Sequence, residues 1–305
     1  LGWASLVAIL STAAVRLARA IALKRSLLDV PNERSSHKTA VPRLGGAAFI
    51  PVVLVALALR WRVAESPGSA GICFLGGALA LFAVSLLDDV VSLSTGVRFA
   101  VQFAAAGAVV AGAFMGHPIA GSSSMVVAIG ALFVVGAVGL LNIYNFMDGI
   151  DGIAGLQAVV AGVAWAYLAS FLGAAGAAFL ALAIAAGAAG FLTLNWPPAK
   201  IFMGDAGSTV IGYSFAVLPL LIWVETKGTV EFSRLLATGI LVVWPFLADG
   251  TFTILRRLRK KENIFKAHRS HLYQRLVIAG KSHRNVTLVY GGLAVVGAFL
   301  GLWVI

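Results

Sequence analysis

The chain has 305 residues, of which 60% are hydrophobic and 11% charged, with a mean hydropathy of +0.96. A soluble domain of this length carries about 25% charged residues, so the composition excludes an ordinary soluble enzyme and points to an integral membrane protein. The net charge of +11 would elsewhere suggest nucleic acid, but in a membrane protein it records orientation and anionic partners, and no nucleic-acid partner is expected. A single cysteine, Cys73, excludes an internal disulfide framework or a thiolate metal site.

A helix needs about 20 apolar residues to cross a bilayer core. In chain order, that length picks out ten spans, at 1–23, 44–63, 69–87, 98–115, 124–144, 153–172, 174–194, 207–224, 234–255 and 285–305. The first is read as a span and not as a cleaved signal, because no small-residue cleavage site follows it. Only the Gly173 region separates the sixth from the seventh, which predicts a tight hairpin, and the Ala/Gly-rich run 174–190 reads as the least hydrophobic. The expected fold is an all-α polytopic membrane protein, a bundle of ten or eleven transmembrane helices in a single integral membrane domain over 1–305.

Ten spans alternate the connecting segments between two sides. Segments after odd-numbered spans hold seventeen of the twenty-three Lys and Arg residues, and those after even-numbered spans hold four; Arg16 and Arg19 lie inside the first span. That excess makes the odd side cytoplasmic. Nine of the twelve carboxylates lie on the same side, which the charge rule does not require because acidic residues contribute little to it. The cytoplasmic side therefore has a use for carboxylates.

Five segments on that side carry candidate chemistry. Residues 29–46, DVPNERSSHKTAVPRLGG, form a polar loop with Lys38 and Arg43, ending in Gly45-Gly46 where a helix begins. These glycines would let backbone approach a ligand or a neighbouring helix. Asp88 and Asp89 close the third span, and adjacent carboxylates at a membrane boundary are tolerated best beside a cation or arginine partners. In NIYNFMDGIDG, Asn142, Asn145 and Asp148 recur every third residue, sharing a helix face if the fifth helix continues through them; Asp151 follows between Gly149 and Gly152. Such a row offers oxygen ligands to a hard cation and hydrogen bonds to a polar substrate. Asp205, in FMGDAGS, stands where a helix N-terminus would present amides to phosphate, or serves as an N-cap. His268 and His271 share a helical face if their segment is helical, and with Arg269 and Arg275 they suit anionic phosphates better than zinc, since no cysteine or HExxH pattern accompanies them.

Together, DVPNERSSHKTAVPRLGG, Asp88-Asp89, NIYNFMDGIDGIAG, FMGDAGS and AHRSHLYQRL resemble the polyprenyl-phosphate N-acetylhexosamine-1-phosphate transferases, in the same order over residues 29 to 276. The resemblance implies a helical bundle with a cytoplasmic catalytic cleft in the bacterial inner membrane. It also implies transfer of a sugar 1-phosphate from a UDP-N-acetylhexosamine to undecaprenyl phosphate with release of UMP, and dependence on Mg2+, with Mn2+ able to substitute. By the same carry-over, Asp205 would ligate the metal with Asp148 and Asp151 close by, and Asp88 and Asp89 would face the lipid phosphate or the metal. His268, Arg269 and His271 would hold the diphosphate, with Arg275, Lys38 and Arg43 also facing the substrate, and Asn142 and Asn145 would shape the nucleotide end. A homodimer is also expected.

His268 and His271 are separated by Arg269-Ser270, and PRLGG ends the first loop, so the chain departs from the muramoyl-pentapeptide branch of peptidoglycan synthesis, which stays as the alternative within the family. The reading favours the branch that starts O-antigen (lipopolysaccharide) or related surface glycans, with a GlcNAc, FucNAc or QuiNAc donor; HRSHLYQRL resembles members that use FucNAc or QuiNAc. Direct attack of the lipid phosphate on the β-phosphorus, with Asp88 as proton acceptor, and a two-step route through an aspartyl intermediate both stay open. A transporter of an anionic lipid or nucleotide sugar is the alternative from another class, although transporters place their charges near the midplane.

Overall fold

The structure, a computed structural model, describes residues 2–31, 39–63, 67–116, 123–263 and 268–305. Nine helices in it are long and apolar enough to cross a membrane: α1 (Gly2–Lys24), α2 (Gly45–Val63), α3 (Gly68–Val91), α4 (Thr95–Gly116), α5 (Ser123–Met147), α6 (Ile153–Phe171), α7 (Ala175–Asn195), α8 (Asp205–Glu225) and α12 (His283–Val304). Three shorter helices, α9 (Phe232–Val242), α10 (Trp244–Arg259) and α11 (Leu272–Ile278), lie between α8 and α12. Two residues of β1 (Leu28–Asp29) pair antiparallel with β2 (Val41–Pro42), closing the described ends of the first loop.

Helix α8 is the axis of the bundle. Its most apolar window is 89% buried, and α2 to α7 and α9 all pack against it. Lipid-facing helices show the opposite: Trp303 is 90% exposed, Met115 80% and Phe171 76%, side chains that only a hydrocarbon solvent accommodates in such numbers. The chain is a multi-pass, all-α membrane protein.

Eight of the ten expected spans match one long helix each to within a few residues, and the third runs on past its expected end to Val91. Leu172, Gly173 and Ala174 connect α6 to α7, with Gly173 at φ 79°, the tight hairpin the sequence predicts. The run at 174–190 is not weak. Helix α7 has a mean hydropathy of 2.1, above the 1.6 of α6, and its window is 72% buried. Alanine loses little side-chain freedom on burial and allows close helix approach, so α7 is held by packing.

The ninth span, expected at 234–255, is not one straight helix. It is a pair, α9 and α10, bent by 78° at Val243. Pro245 stands in the first turn of α10, where its missing N–H leaves the carbonyl of Leu241 without the next rung of a continuous helix. Eleven residues of α9 rise only about 16 Å, half of a hydrocarbon core. The bend turns α10, with buried Asp249, towards the end of the bundle where the charged residues gather.

Candidate active site

The C-terminal ends of α3, α5 and α7 and the N-terminal ends of α2, α8 and α12 meet at one end of the bundle. Backbone joins the starts of α2 and α8: Gly45 N–H donates to Phe202 O (2.9 Å), Gly46 N–H to Met203 O (2.7 Å) and Phe202 N–H to Pro42 O (2.7 Å). A Cβ on Gly46 would collide with the backbone of Gly207, so the glycine pair at 45–46 serves the approach of a neighbouring helix, one of the two uses the sequence allows. Gly204, at φ 74°, is the residue before α8, and Asp205 is the first residue of the helix.

Two cavities open at this end. The larger, of about 380 Å³, lies between α3, α4 and α5 and is walled by Leu81, Phe99, Phe103 and Val135, with its polar groups Asp88, Arg98, Gln102, Asn142, His268 and His271. The second, about 240 Å³, is polar and is lined by Asp29, Arg43, Asp148, Asp151, Gln274 and His283 with Phe202. Asn145 and Asp205 line both. The cavities therefore join at two of the residues that the sequence singles out.

Arg43 is the electrostatic centre of the polar cavity. Its Nη2 lies 2.5 Å from Asp205 Oδ1 and 3.8 Å from Asp89 Oδ1. Burial works against its charge, but Asp205, Asp89, Asp29 and Asp148 together carry the guanidinium pKa above its ordinary value. Burial also pushes the Asp148 carboxyl well above the usual carboxylate range; Arg43 opposes this and Asp205 adds to it.

The fifth helix stops at Met147, so Asp148 does not share a helix face with Asn142 and Asn145. Its amide donates to Asn145 O (3.2 Å) in a tightened last turn, and Gly152, at φ 77°, four residues on, is the residue before α6. Asn145 Nδ2 donates to Ser208 Oγ (2.8 Å) and Asn142 Nδ2 to Gln102 Oε1 (2.8 Å), which ties α5 to α8 and α4. Asp151 belongs to the polar cavity but is spoken for: Oδ2 accepts from Ala199 N–H (3.0 Å) and Oδ1 lies 3.1 Å from His283 Nδ1.

The adjacent aspartates take different partners. Asp88 accepts from Arg98 Nη1 (3.0 Å) and from the Leu93 amide (2.7 Å) and faces the apolar-walled cavity, while Asp89 pairs with Arg43. Each has the arginine that a boundary carboxylate needs.

His268 and His271 are not on a helix, since α11 begins at Leu272. Their rings stack at 5.0 Å instead, and both line the apolar-walled cavity. Burial, with Arg257 and His271 nearby, lowers the His268 pKa to about 4, so it meets a ligand as a neutral hydrogen-bonding ring. His271 is oriented by Asp249, whose Oδ1 lies 3.3 Å from Nδ1 and which also accepts from the Leu272 and Tyr273 amides and from Tyr290 Oη (2.6 Å). Arg269 and Arg275 line neither cavity, and Arg275 is exposed on α11. Lys38 lies outside the described residues.

Sequence reasoning missed four residues here. Arg98 reads as one more orientation charge, Gln102 as an ordinary helix residue, and Asp249 sits in an apolar run with no local pattern. His283 follows the last basic segment and shares no motif with it. Only Arg98, ten residues beyond Asp88, carries a signal that could have found it: a cation near a carboxylate pair.

A multi-pass helical bundle that brings an apolar-walled cavity and a polar, carboxylate-rich cavity together at shared residues has the site of an integral membrane enzyme. Comparison with known proteins agrees. Residues 71–223 match glycosyl transferase family 4. The chain is 32% identical over 281 residues (90% of it, 76% of the relative) to a probable undecaprenyl-phosphate N-acetylglucosaminyl 1-phosphate transferase of Bacillus subtilis. It is 30% identical over 287 residues (90% and 79%) to the undecaprenyl-phosphate alpha-N-acetylglucosaminyl 1-phosphate transferase of Haemophilus influenzae. A decaprenyl-phosphate N-acetylglucosaminephosphotransferase of Mycolicibacterium smegmatis is 30% identical over 311 residues (92% and 76%). The chain belongs to glycosyl transferase family 4, among the polyprenyl-phosphate hexosamine-1-phosphate transferases, and is a phospho-sugar transferase.

Proposed function

We propose that the protein transfers N-acetylhexosamine 1-phosphate from a UDP-sugar to undecaprenyl phosphate, releasing UMP, as the first step of a lipid-linked surface glycan. The observation that carries this is the junction of the two cavities at Asn145 and Asp205. The apolar-walled cavity suits a prenyl chain with its phosphate at Arg98, whose Nε is buried without a partner. The polar cavity suits the nucleotide sugar. The relatives of Bacillus subtilis, Haemophilus influenzae and Mycolicibacterium smegmatis, each matched over 90–92% of the chain, are all named for N-acetylglucosamine, which favours UDP-GlcNAc as donor. The one-sided excess of Lys and Arg supports an orientation with the joined cavities facing the cytoplasm at the bacterial inner membrane, and O-antigen is the glycan proposed.

Mg2+ fits the polar cavity. Among the described residues no three His, Cys, Asp or Glu side chains converge to hold a metal alone, but Mg2+ commonly takes one or two carboxylates together with substrate phosphates. Asp205 and Asp148 would hold it, and the cluster of aspartates around Arg43 is already arranged about a cation. Bound there, Mg2+ or Mn2+ would offset the charge of the diphosphate oxygens.

The protein's own share is positioning and charge. A lipid phosphate is already an anion near neutral pH, its second pKa being about 6, so no strong base is required. Its oxygen attacks the β-phosphorus and forms the new P–O bond. The bond from that phosphorus to the bridging oxygen breaks, and UMP leaves with the electron pair. Arg98 holds the attacking phosphate, Asp88 holds Arg98 and stands ready to accept a residual proton, and Arg43 shifts from Asp205 to the diphosphate. Neutral His268 and Asp249-oriented His271 contribute hydrogen bonds where the two phosphates meet.

The test is to incubate membranes holding the protein with undecaprenyl phosphate, Mg2+ and a panel of UDP-sugars, and to assay UMP. UMP from UDP-GlcNAc is expected; no UMP with any donor would overturn the reading in favour of transport.

A further inference from the structure

We propose that the last turns of α10 dock on anionic phospholipid headgroups at the charged end of the bundle, and that this contact steadies the loop carrying His268 and His271. The docking stands apart from the proposed function; its effect on the loop rests on that reading.

The 78° bend at Val243 carries α10 out of line with α9, and the helix has two unlike faces. Asp249, Thr253 and Arg257, four residues apart, are buried. On the other side Ala248, Thr251, Phe252, Leu255, Leu258 and Arg259 are exposed, and they share about a third of the circumference. Phe252, Leu255 and Leu258 are 47%, 49% and 52% exposed, an apolar stripe that runs along the helix to Arg259, Lys260 and Lys261. Apolar side chains that end at a cluster of cations match the edge of a bilayer, where acyl chains give way to phosphates.

The three cations have no other charge to meet. Glu262 follows them directly but pairs with Arg257 (Nη1 to Oε2, 3.1 Å), whose Nη2 also donates to Asn263 O (2.6 Å). Among the described residues Arg259, Lys260 and Lys261 make no ion pair. Their backbone is closed by Lys261 N–H donating to Leu258 O (3.0 Å) and Glu262 N–H to Arg257 O (2.9 Å). Lys261 stands at φ 55°, the left-handed position after a helix that glycine usually takes, so a cationic side chain is kept there at a backbone cost. Phosphatidylglycerol offers such a cluster an unopposed phosphate charge, whereas phosphatidylcholine balances its own.

The same turns reach the histidines. Arg256 Nη2 donates to Ser270 O (2.6 Å), midway between the two stacked rings in sequence. A headgroup that fixes the end of α10 therefore fixes the loop through Arg256.

Site-specific quenching tests the docking without catalysis. Bimane on Leu258→Cys, with Cys73→Ala, in phosphatidylcholine vesicles reports the lipid beside α10. Bimane on Phe299→Cys reports an exposed site on a stretch of α12 without charge. Trace phosphatidylglycerol with brominated chains should quench position 258 about fivefold more effectively than phosphatidylcholine with the same chains, and the two should be equal at position 299. Arg259→Gln, Lys260→Gln and Lys261→Gln together should abolish the preference at 258. Equal quenching by both lipids at 258 overturns the docking, and so does a preference that survives the triple change. At saturating substrates, UMP release in nanodiscs should rise by up to about fivefold when phosphatidylglycerol is added to phosphatidylcholine, while the triple variant gives one rate in both. A rate indifferent to lipid, with the quenching preference present, overturns the link to the histidine loop. No UMP in either lipid sinks the functional reading and that link together, and leaves the docking to the quenching result.

Discussion

The apolar-walled cavity and the polar cavity share Asn145 and Asp205, yet they are built by opposite means. The first is walled by apolar side chains of α3, α4 and α5, and its arginine, Arg98, in the first turn of α4, arrives with its own counter-ion, Asp88, ten residues earlier in the last turn of α3. The second is framed by helix ends and turns: the start of α2, the Asp148–Gly152 turn, the start of α8 and the start of α12. A charge in an apolar wall costs too much to stand alone, so it is paired locally and sparsely. Helix ends expose free backbone groups and leave room for many charges, so the polar cavity shares one guanidinium among Asp29, Asp89, Asp148 and Asp205. An apolar-walled cavity and a polar one thus follow from how many helix sides and how many helix ends each gathers.

Variants should separate the two. Asp205→Asn touches both cavities and should have the largest effect, a loss of about a thousandfold in UMP release with the protein still inserted in the membrane. Near-normal release would remove Asp205 from the junction. Arg98→Gln should act on one cavity only: the KM for undecaprenyl phosphate should rise by about ten- to a hundredfold, the worth of a charged hydrogen bond, while calorimetry finds UDP-sugar binding unchanged. Equal weakening of both substrates would merge the cavities into one. Arg43→Gln removes the internal cation beside Asp205, so electron paramagnetic resonance should find Mn2+ bound about tenfold more tightly without nucleotide than in the unmodified protein. Unchanged or weaker Mn2+ binding would contradict the place given to Arg43.

The smallest effect belongs to His268. Its pKa in the fold is about 4 against an ordinary value of 6.5, so the unfolded chain binds its proton first as pH falls. The stability it contributes is whole above about pH 6.5 and is lost on acidification towards pH 4. Thermal unfolding of His268→Gln should therefore decline less between pH 6.5 and 4 than that of the unmodified protein, and parallel declines would contradict the neutral ring.

Much of this was legible in the sequence, and for identifiable reasons. Spans are set by a solvent with no tolerance for unpaired polar groups, so length and hydropathy locate α1 to α8 and α12. The gathering of Asp148, Asp151 and Asp205 at one end follows from counting sides. What escaped depends on contacts between distant residues or on a single turn of backbone. The stop of α5 at Met147 takes Asp148 off the row of Asn142 and Asn145, although Gly149 and Gly152 hinted at it. The bend at Val243 was written in Trp244-Pro245, but hydropathy alone averages across it. Asp249 shows its role only through residues 22 to 41 positions later, in the partners His271, Leu272, Tyr273 and Tyr290. His283 needs Asp151, 132 positions before it.

The central claim is that the joined cavities bring a lipid phosphate to the β-phosphorus of a nucleotide sugar. The most direct measurement follows that atom: supply UDP-GlcNAc labelled at the β-phosphorus to the purified protein in lipid nanodiscs, with and without undecaprenyl phosphate, and extract into organic solvent. Label should pass to the organic phase in step with UMP, and only when the lipid is present. UMP released while the label stays in water, or released without the lipid, would contradict the account.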